Sequence, residues 1–556
     1  MLLTSDFPDL DIPKVNVLDY LFPDGQPVSS DPVWYDAVEP QKKNLSPRQM
    51  LNWVKRVCLG LDRLGISEGD VCMIYTPNHL FIPAAYLGIV GSGRAFSAAN
   101  PIYTVSEVVH QLKNTEAKCI LAHPSMLDNA LAAAKEVGMP KERIFQFNDE
   151  PCPPRHEIAD WSKMIGSHEE AERYQWRKFS PEESVNTVAT INYSSGTTGL
   201  PKGVCISHHA LIANVEQTIF MRWHPGLKPG ERPNERWVGF LPLYHAYGQL
   251  YANLMATKVR VPIYIMKQFV YSEFLRCIQE YKITHLQVAP PILIMMNKRP
   301  ETKDYDLSSL KGVLCGAAPL RKELQNAVAN EFNVHIKQGW GMTEVTCGSL
   351  LQIDPADDGN VGKLIPNTEC RLVDDDGKEV GFGEPGEMYI RAPNVCLRYW
   401  RNEAATKETL SDDGWLKTGD VAVVNKERQF WIVDRKKELI KVNALQVAPA
   451  ELEAVLLEHE DIADAAAVGI QIFGEEFPRA YVAVKEGKQG KVTQKQIQDW
   501  MKSKVAKHKQ LVGGIAFIDE VPKLASGKIQ RKLMKEWAKR DVPAVEKELG
   551  SIRAKL

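Results

Sequence analysis

The chain has 556 residues, of which 44% are hydrophobic and 25% charged, and its formal net charge is −2. That length accommodates about three or four domain-sized units, and the composition is that of an ordinary globular protein. The near-neutral balance calls for neither a nucleic-acid nor a membrane partner.

The N-terminal run MLLTSDFPDLDIPK carries acids and prolines where a secretory signal would carry a basic and then an apolar region. Ser46-Pro47 opens a predicted helix, with Ser46 as N-cap and Pro47 in its first turn. Met50, Trp53, Val54, Val57 and Leu61 recur at helical spacing and Gly65 ends it. Val71 to Thr76 reads as a buried strand, Phe81 to Gly91 as an apolar helix and Cys119 to Ala122 as a short strand. The longest apolar stretch, Leu80 to Val90, is only about half a membrane span and holds Pro83. Strand, helix and strand at this spacing predict parallel α/β construction.

Residues 146–181 are rich in Pro, Glu and Asp and read as surface connection; Val185 to Asn192 reads as a strand. Further α/β units follow at His285 to Ala289 and at Gly312 to Leu314, which runs into Gly316-Ala317-Ala318. From about Gly359 the texture becomes β-rich, with a hairpin signal at Asp375-Asp376-Gly377 and a strand at Gln429 to Val433. Asp434-Arg435-Lys436-Lys437 is a charged break. Beyond it lie a helix at Pro449 to Glu458, strands at Ala466 to Ile470 and Ala480 to Val484, and a helix at Thr493 to Lys504. The expected architecture is α/β: a large N-terminal domain over 1–433 with a β-rich subdomain at about 359–433, a hinge at 434–437, and a small mobile α+β C-terminal domain over 438–556. The ten cysteines show no C-x-x-C and no metal-ligand spacing, so they read as buried thiols of a reducing compartment.

Two lysine-bearing glycine loops stand far apart: YSSGTTGLPKG from Tyr193 to Gly203, and PKLASGKIQRK from Pro522 to Lys532. Gly, Ser and Thr present backbone N–H groups and hydroxyls to anionic oxygens, and Lys202 and Lys528 each add a cation. The first loop lacks Walker A spacing. Ser194, Ser195, Thr197 and Thr198 nonetheless gather hydroxyls, Gly196, Gly199 and a lysine in one turn, which points to phosphate.

YSSGTTGLPKG resembles the phosphate-loop signature of the acyl-adenylate-forming enzymes. The family's other stations follow in order: Gly339-Trp340-Gly341-Met342-Thr343-Glu344, Thr418-Gly419-Asp420, Asp434-Arg435 with Lys441, and Lys528. DRKKELIKVNALQVAPAELE and Gly316-Ala317-Ala318-Pro319 are most similar to the 4-coumarate–CoA ligases. The resemblance implies ATP and Mg²⁺ as cofactors, coenzyme A as cosubstrate, and acyl-AMP as intermediate. It implies that Ser194 to Lys202 cradle the β- and γ-phosphates, Thr343 contacts the α-phosphate and Glu344 holds Mg²⁺. It places adenine on Trp340 beside Gly341, and the ribose hydroxyls on Asp420 with Arg435 assisting. Taken locally, Asp420 also fits a turn residue, and Lys437 and Lys441 a solvated charge run.

The resemblance further implies a C-terminal domain that swings about Lys437, withdrawing Lys528 and bringing in Lys441 for thiol transfer. It puts His245 beside the acyl and thiol channels, and Tyr247 with Gly316, Ala317 and Ala318 around the acyl group. A structural His245 and a plain core Tyr247 are the alternatives. Two departures bear on function. Asn443-Ala444 stands where the ligases carry Lys-Gly, near the pantetheine path, and Val345-Thr346-Cys347 stands where they carry Ala-Gly-Pro, beside the carboxylate pocket.

The expected activity is acid–CoA ligation, with an aryl-propenoic or medium-chain fatty acid as substrate. A luciferase-like oxygenase and a carrier-protein loading enzyme share the adenylation motifs, although no carrier segment follows Lys532. A non-catalytic nucleotide sensor is disfavoured by the presence of Lys528, Glu344 and Asp420. The terminal Ala554-Lys555-Leu556 is a variant of the peroxisomal address and predicts an import-receptor partner and peroxisomal localisation in a eukaryote, cytoplasmic otherwise.

Overall fold

The computed structural model describes residues 1–194, 201–223, 232–442, 445–502, 504–524 and 528–553. The expected phosphate-loop residues Ser195, Gly196, Thr197, Thr198 and Gly199, the Asn443-Ala444 departure and the terminal Ala554 to Leu556 lie outside them.

Two large sheets dominate. One has seven strands, in the order Arg398–Tyr399, Lys202–Ser207, Val188–Ser194, Ala95–Ala99, Val71–Tyr75, Cys119–Ala122 and Ile144–Gln146. The other has nine, with His335–Trp340, Gly312–Cys315, His285–Val288 and Trp237–Gly239 adjacent and parallel at its centre. Between the sheets runs a helical layer. The helix Ile82–Gly91 is buried along its whole length, which explains why its sequence is apolar all round. The helix Pro47–Arg63 packs on it through Val54, Val57 and Leu61, as its periodicity predicts. Its start is a reciprocal cap: Gln49 N–H donates to Ser46 Oγ at 3.2 Å and Ser46 N–H donates to Gln49 Oε1 at 2.8 Å.

The expected strand at Val185 begins later. Ser180-Pro181 and Glu183 form another capping box, so Pro181–Asn186 is helical and the strand is Val188–Ser194. The stretch read as surface connection also holds a short helix, His168–Arg173, and a buried Trp161.

The β-rich segment is a five-stranded antiparallel sheet of Leu2–Thr4, Glu369–Val373, Gly386–Arg391, Leu416–Val424 and Phe430–Arg435. Its edge comes from the N-terminus, and its last strand runs through Asp434 and Arg435. The charged run is therefore half strand, and only Lys436 and Lys437 form the turn out of it.

The C-terminal unit is built on a long hairpin, Ile462–Ile472 with Glu475–Val484, flanked by Ile515–Phe517. Successive residues of the first strand face opposite cores. Ala465 and Ala467 meet the helices Pro449–Leu456 and Gln494–Lys502, while Ala466, Val468 and Ile470 meet the helix Arg531–Arg553. That 23-residue helix escapes sequence reading because Met534, Ala538 and Val545 stand among many charges, with Pro543 inside.

Candidate active site

Strands of both large sheets and the five-stranded sheet end around one cavity of about 740 Å³. The C-terminal ends of parallel strands are where α/β folds place ligands. Ser194 and Lys202 reach it from the seven-stranded sheet, and Gly316, Ala317, Trp340 and Gly341 from the nine-stranded one. Thr343 and Glu344 line it from a single turn of 3₁₀ helix, Thr343–Val345. Arg435 and Lys437 approach from the domain boundary, and Lys528 from the C-terminal unit.

The second glycine loop is pinned at its base, where Leu524 N–H donates to Lys528 O at 2.8 Å and Gln530 N–H to Pro522 O at 2.9 Å. Burial and the neighbouring Arg435 bring the Lys528 ammonium down to about 8, although the carboxylates of Glu438, Asp420 and Glu344 favour its charge. His245 faces the same space. Its Nδ1 accepts Tyr247 N–H at 3.4 Å, and burial with the nearby Lys528 holds it down to about 4, so it is neutral at pH 7 with its proton on Nε2. The loop that carries it is tied down by Asn78, which accepts Leu243 N–H at 2.9 Å and donates to Leu241 O at 3.0 Å.

Glu344 is 6% exposed. Tyr399 Oη donates to its Oε1 at 2.8 Å, and Cys396 N–H donates to its backbone carbonyl at 2.8 Å. The Lys202 ammonium lies 5.1 Å from the centre of the Tyr399 ring. One tyrosine thus spans the expected metal carboxylate and the expected phosphate lysine. Sequence reading missed it because it sits 55 positions beyond Glu344 and meets Lys202 only through the pairing of Arg398–Tyr399 with Lys202–Ser207.

The chain turns sharply after Glu344. Thr346 has φ 66° and ψ −56°, and Cys347 N–H donates to Val345 O at 2.7 Å, which makes a strained γ-turn on a β-branched residue. Asn394, fully buried, holds it: its Nδ2 donates to Val345 O at 2.8 Å and Gly348 O at 3.1 Å, and its carbonyl accepts Thr346 Oγ1 at 2.7 Å. Gly341 packs so closely on this turn that a Cβ there would sit 1.6 Å from Cys347 O. Cys347 emerges on the cavity wall, its thiol pushed up to about 12 by burial and so neutral.

Beside Cys347 the wall is aromatic. Tyr247 and Tyr251 meet edge-on with centroids 5.4 Å apart. Tyr247 Oη donates to Leu314 O at 3.0 Å, so its proton is committed to the wall and only a lone pair remains for a ligand. Asn192 and Gln249 exchange amide hydrogen bonds of 2.8 and 3.2 Å, which links the strand feeding the first loop to the π-helical turn Gln249–Met255 after Tyr247.

Three expected site residues stand off the cavity surface. Asp420 is buried behind it, bonded to Trp340 and Arg435. Ala318 follows the lining residues Gly316 and Ala317 without joining them. Lys441 is exposed on the hairpin Ile440–Val442/Leu445–Val447, with its N–H donating to Glu476 Oε2 at 3.0 Å. Lys437 borders the cavity with its side chain 61% exposed, and its carbonyl accepts Lys535 Nζ at 3.1 Å.

The family model for AMP-binding enzymes matches residues 29–400, and that for their C-terminal domain matches 451–528. An acyl-CoA synthetase of Alternaria alternata, ACTT5, is 35% identical over 91% of this chain and 87% of its own length. The 4-coumarate–CoA ligase 4 of Arabidopsis thaliana is 34% identical over 95% and 93%. Among solved structures, ATP-bound MatB from Rhodopseudomonas palustris superposes with a TM-score of 0.80 at 23% identity, covering 94% of this chain and 99% of that one. With two glycine-loop lysines, a buried glutamate and Arg435 drawn to one cavity, Asp420 paired with Arg435 behind it, and family matches on both sides of the domain boundary, the chain belongs to the AMP-binding enzymes.

Proposed function

We propose that the protein is an ATP-dependent acid–CoA ligase that works through an acyl-adenylate. The observation that carries this reading is the seating of Lys528, from the C-terminal unit, in the cavity that Lys202, Thr343 and Glu344 line from the N-terminal one. A carboxylate oxygen of the acid attacks the α-phosphorus of ATP, the bond to the bridging oxygen breaks, and pyrophosphate leaves. The acid is ionised at pH 7, so no general base is required. The protein's task is to hold two anions together and stabilise charge on phosphate oxygens. Lys528 from the C-terminal unit and Lys202 from the N-terminal one both line the cavity that would hold that charge, and Thr343 would supply a hydroxyl at the α-phosphate.

Glu344 fits as a single protein anchor for Mg²⁺. It is one carboxylate oriented by Tyr399, and among the described residues no cluster of three or more His, Cys, Asp or Glu forms a complete cage. Magnesium is held in this manner, by one or two carboxylates with substrate phosphates and water, and when bound it would neutralise the β- and γ-oxygens.

In the second step the thiolate of CoA attacks the acyl carbonyl and AMP leaves with the electron pair of the acyl–oxygen bond. Lys441, outside the cavity here, would enter for that step by rotation about Lys437, and neutral His245 would line the thiol path. The aromatic wall of Tyr247 and Tyr251 suits a flat ring or an apolar chain, which keeps aryl-propenoic and medium-chain fatty acids as the substrate classes.

The test is pyrophosphate release with cinnamic, benzoic and fatty acids, with and without CoA. Acid-dependent release that turns over only with CoA is expected. No release with any acid would overturn the proposal, and light emission with a luciferin or acyl transfer to a carrier protein would redirect it.

A further inference from the structure

Trp340 is expected to carry adenine on its ring face, and its edge has a second occupation. The indole Nε1–H donates to Asp420 Oδ2 at 2.8 Å, while Arg435 Nε lies 3.2 Å from Oδ1. Asp420 is 5% exposed, and burial pushes its carboxyl above the usual range against the pull of Arg435, Trp340 and Lys528. A carboxylate has about four acceptor sites, so the indole donor on Oδ2, with the Arg435 guanidinium ion-paired beside Oδ1, holds its plane and leaves acceptor capacity on both oxygens. That remaining capacity is what two adjacent ribose hydroxyls need.

The placement is stiff on both sides. Trp340 ends the strand His335–Trp340, its carbonyl accepts Ser349 N–H at 3.0 Å, and the next residue, Gly341, is jammed against Cys347 O. Asp420 sits opposite Arg435 in the five-stranded sheet, and its N–H donates to Thr418 Oγ1 at 3.1 Å. The indole bond therefore joins two sheets at the point where the nucleotide would lie. Phenylalanine would keep an aromatic face at this position and leave Oδ2 without its donor in a buried place.

We propose that Trp340 is a positioning residue: its indole N–H sets the Asp420 carboxylate to read the ribose hydroxyls, so that one side chain serves both halves of the nucleoside. This rests on the ATP-dependent reading above, and it can fail while that reading stands. The experiment is calorimetric binding of ATP, 2′-deoxy-ATP and 3′-deoxy-ATP, without acid, to the wild-type protein and to Trp340→Phe. Wild type is expected to prefer ATP over either deoxy nucleotide by about tenfold, the value of one hydrogen bond to a charged group. Trp340→Phe should shrink that preference to about twofold, because any loss of stacking weakens all three nucleotides alike and cancels in the ratio, whereas loss of the N–H weakens ATP alone. Asp420→Asn should abolish it, and the double variant should add nothing further.

If Trp340→Phe does not fold, benzothienylalanine at position 340 keeps the bicyclic shape and removes only the N–H. An undiminished ATP preference in either replacement would overturn the inference and leave Trp340 as a stacking platform alone. Absence of ATP binding by the wild type would overturn this inference and the ligase reading together.

Discussion

Two lysines of the C-terminal unit occupy opposite circumstances. Lys528 is held by a pinned loop inside the cavity, largely dehydrated, and its ammonium is brought down to about 8. Lys441 sits on an exposed hairpin away from the cavity. The same functional group thus lines a cavity in one place and is kept in water in the other. On the proposed reading, this arrangement suits adenylation, and thiol transfer calls for the unit to be placed differently.

The sharpest way to break that comparison is to remove each lysine in turn. Lys528→Ala should lower acid-dependent pyrophosphate release by about 10²–10³-fold, the cost of losing one charge-stabilising donor, while thioester formation from supplied acyl-AMP persists. Equal loss of both steps would erase the division of labour. Lys441→Ala should do the converse, with adenylation nearly unchanged and thioester formation from acyl-AMP reduced by about tenfold or more. Unaltered thioester formation would leave Lys441 as a surface charge.

The pH dependence sharpens the same contrast. Lys528 must be cationic to hold phosphate, and it loses its proton as pH rises through about 8. Adenylation by the free enzyme should therefore fall above that pH, and Lys528→Arg should move the falling limb upward because guanidinium stays charged. His245, already neutral above about 4, should add no limb between pH 5 and 7. A profile unchanged by the arginine variant would assign the limb to another group.

The smallest expected effect concerns the domain boundary. Asp434, on the last strand of the five-stranded sheet, accepts Ala450 N–H at 3.0 Å at the start of the helix Pro449–Leu456. It caps a helix of the other unit, a contact worth about 1 kcal/mol. Asp434→Ala should raise modification of Lys528 by an amine-reactive reagent by about fivefold and leave Lys441 modification unchanged. No change at Lys528 would mean that the cap does not govern its withdrawal.

Much of this was legible in the sequence, for identifiable reasons. The helix from Pro47 and the strand at Val71 announce themselves through a cap, a period and a breaker. The stations around Trp340, Glu344 and Lys528 are short contiguous runs whose chemistry is carried by residue type. What stayed hidden depends on chain segments meeting at long range. Tyr399 reaches Glu344 only because an edge strand of two residues pairs beside Lys202. Leu2–Thr4 joins a sheet whose other strands begin more than 360 positions later. Trp340 was read as a ring face, and its N–H partner becomes evident only once two sheets abut. Val185 was misplaced because a local cap at Ser180 outcompeted the β-propensity that follows it.

The γ-turn at Thr346 separates two kinds of change. Its shape is imposed by Asn394 through backbone carbonyls and by the main chain of Gly341, rather than by the side chains of Val345 and Cys347. Exchanging Val345 or Cys347 would leave these backbone contacts, and with them the backbone that presents Glu344, in place. The scaffold thereby uncouples the side chain that Cys347 offers to the cavity wall from the placement of Glu344 next to it.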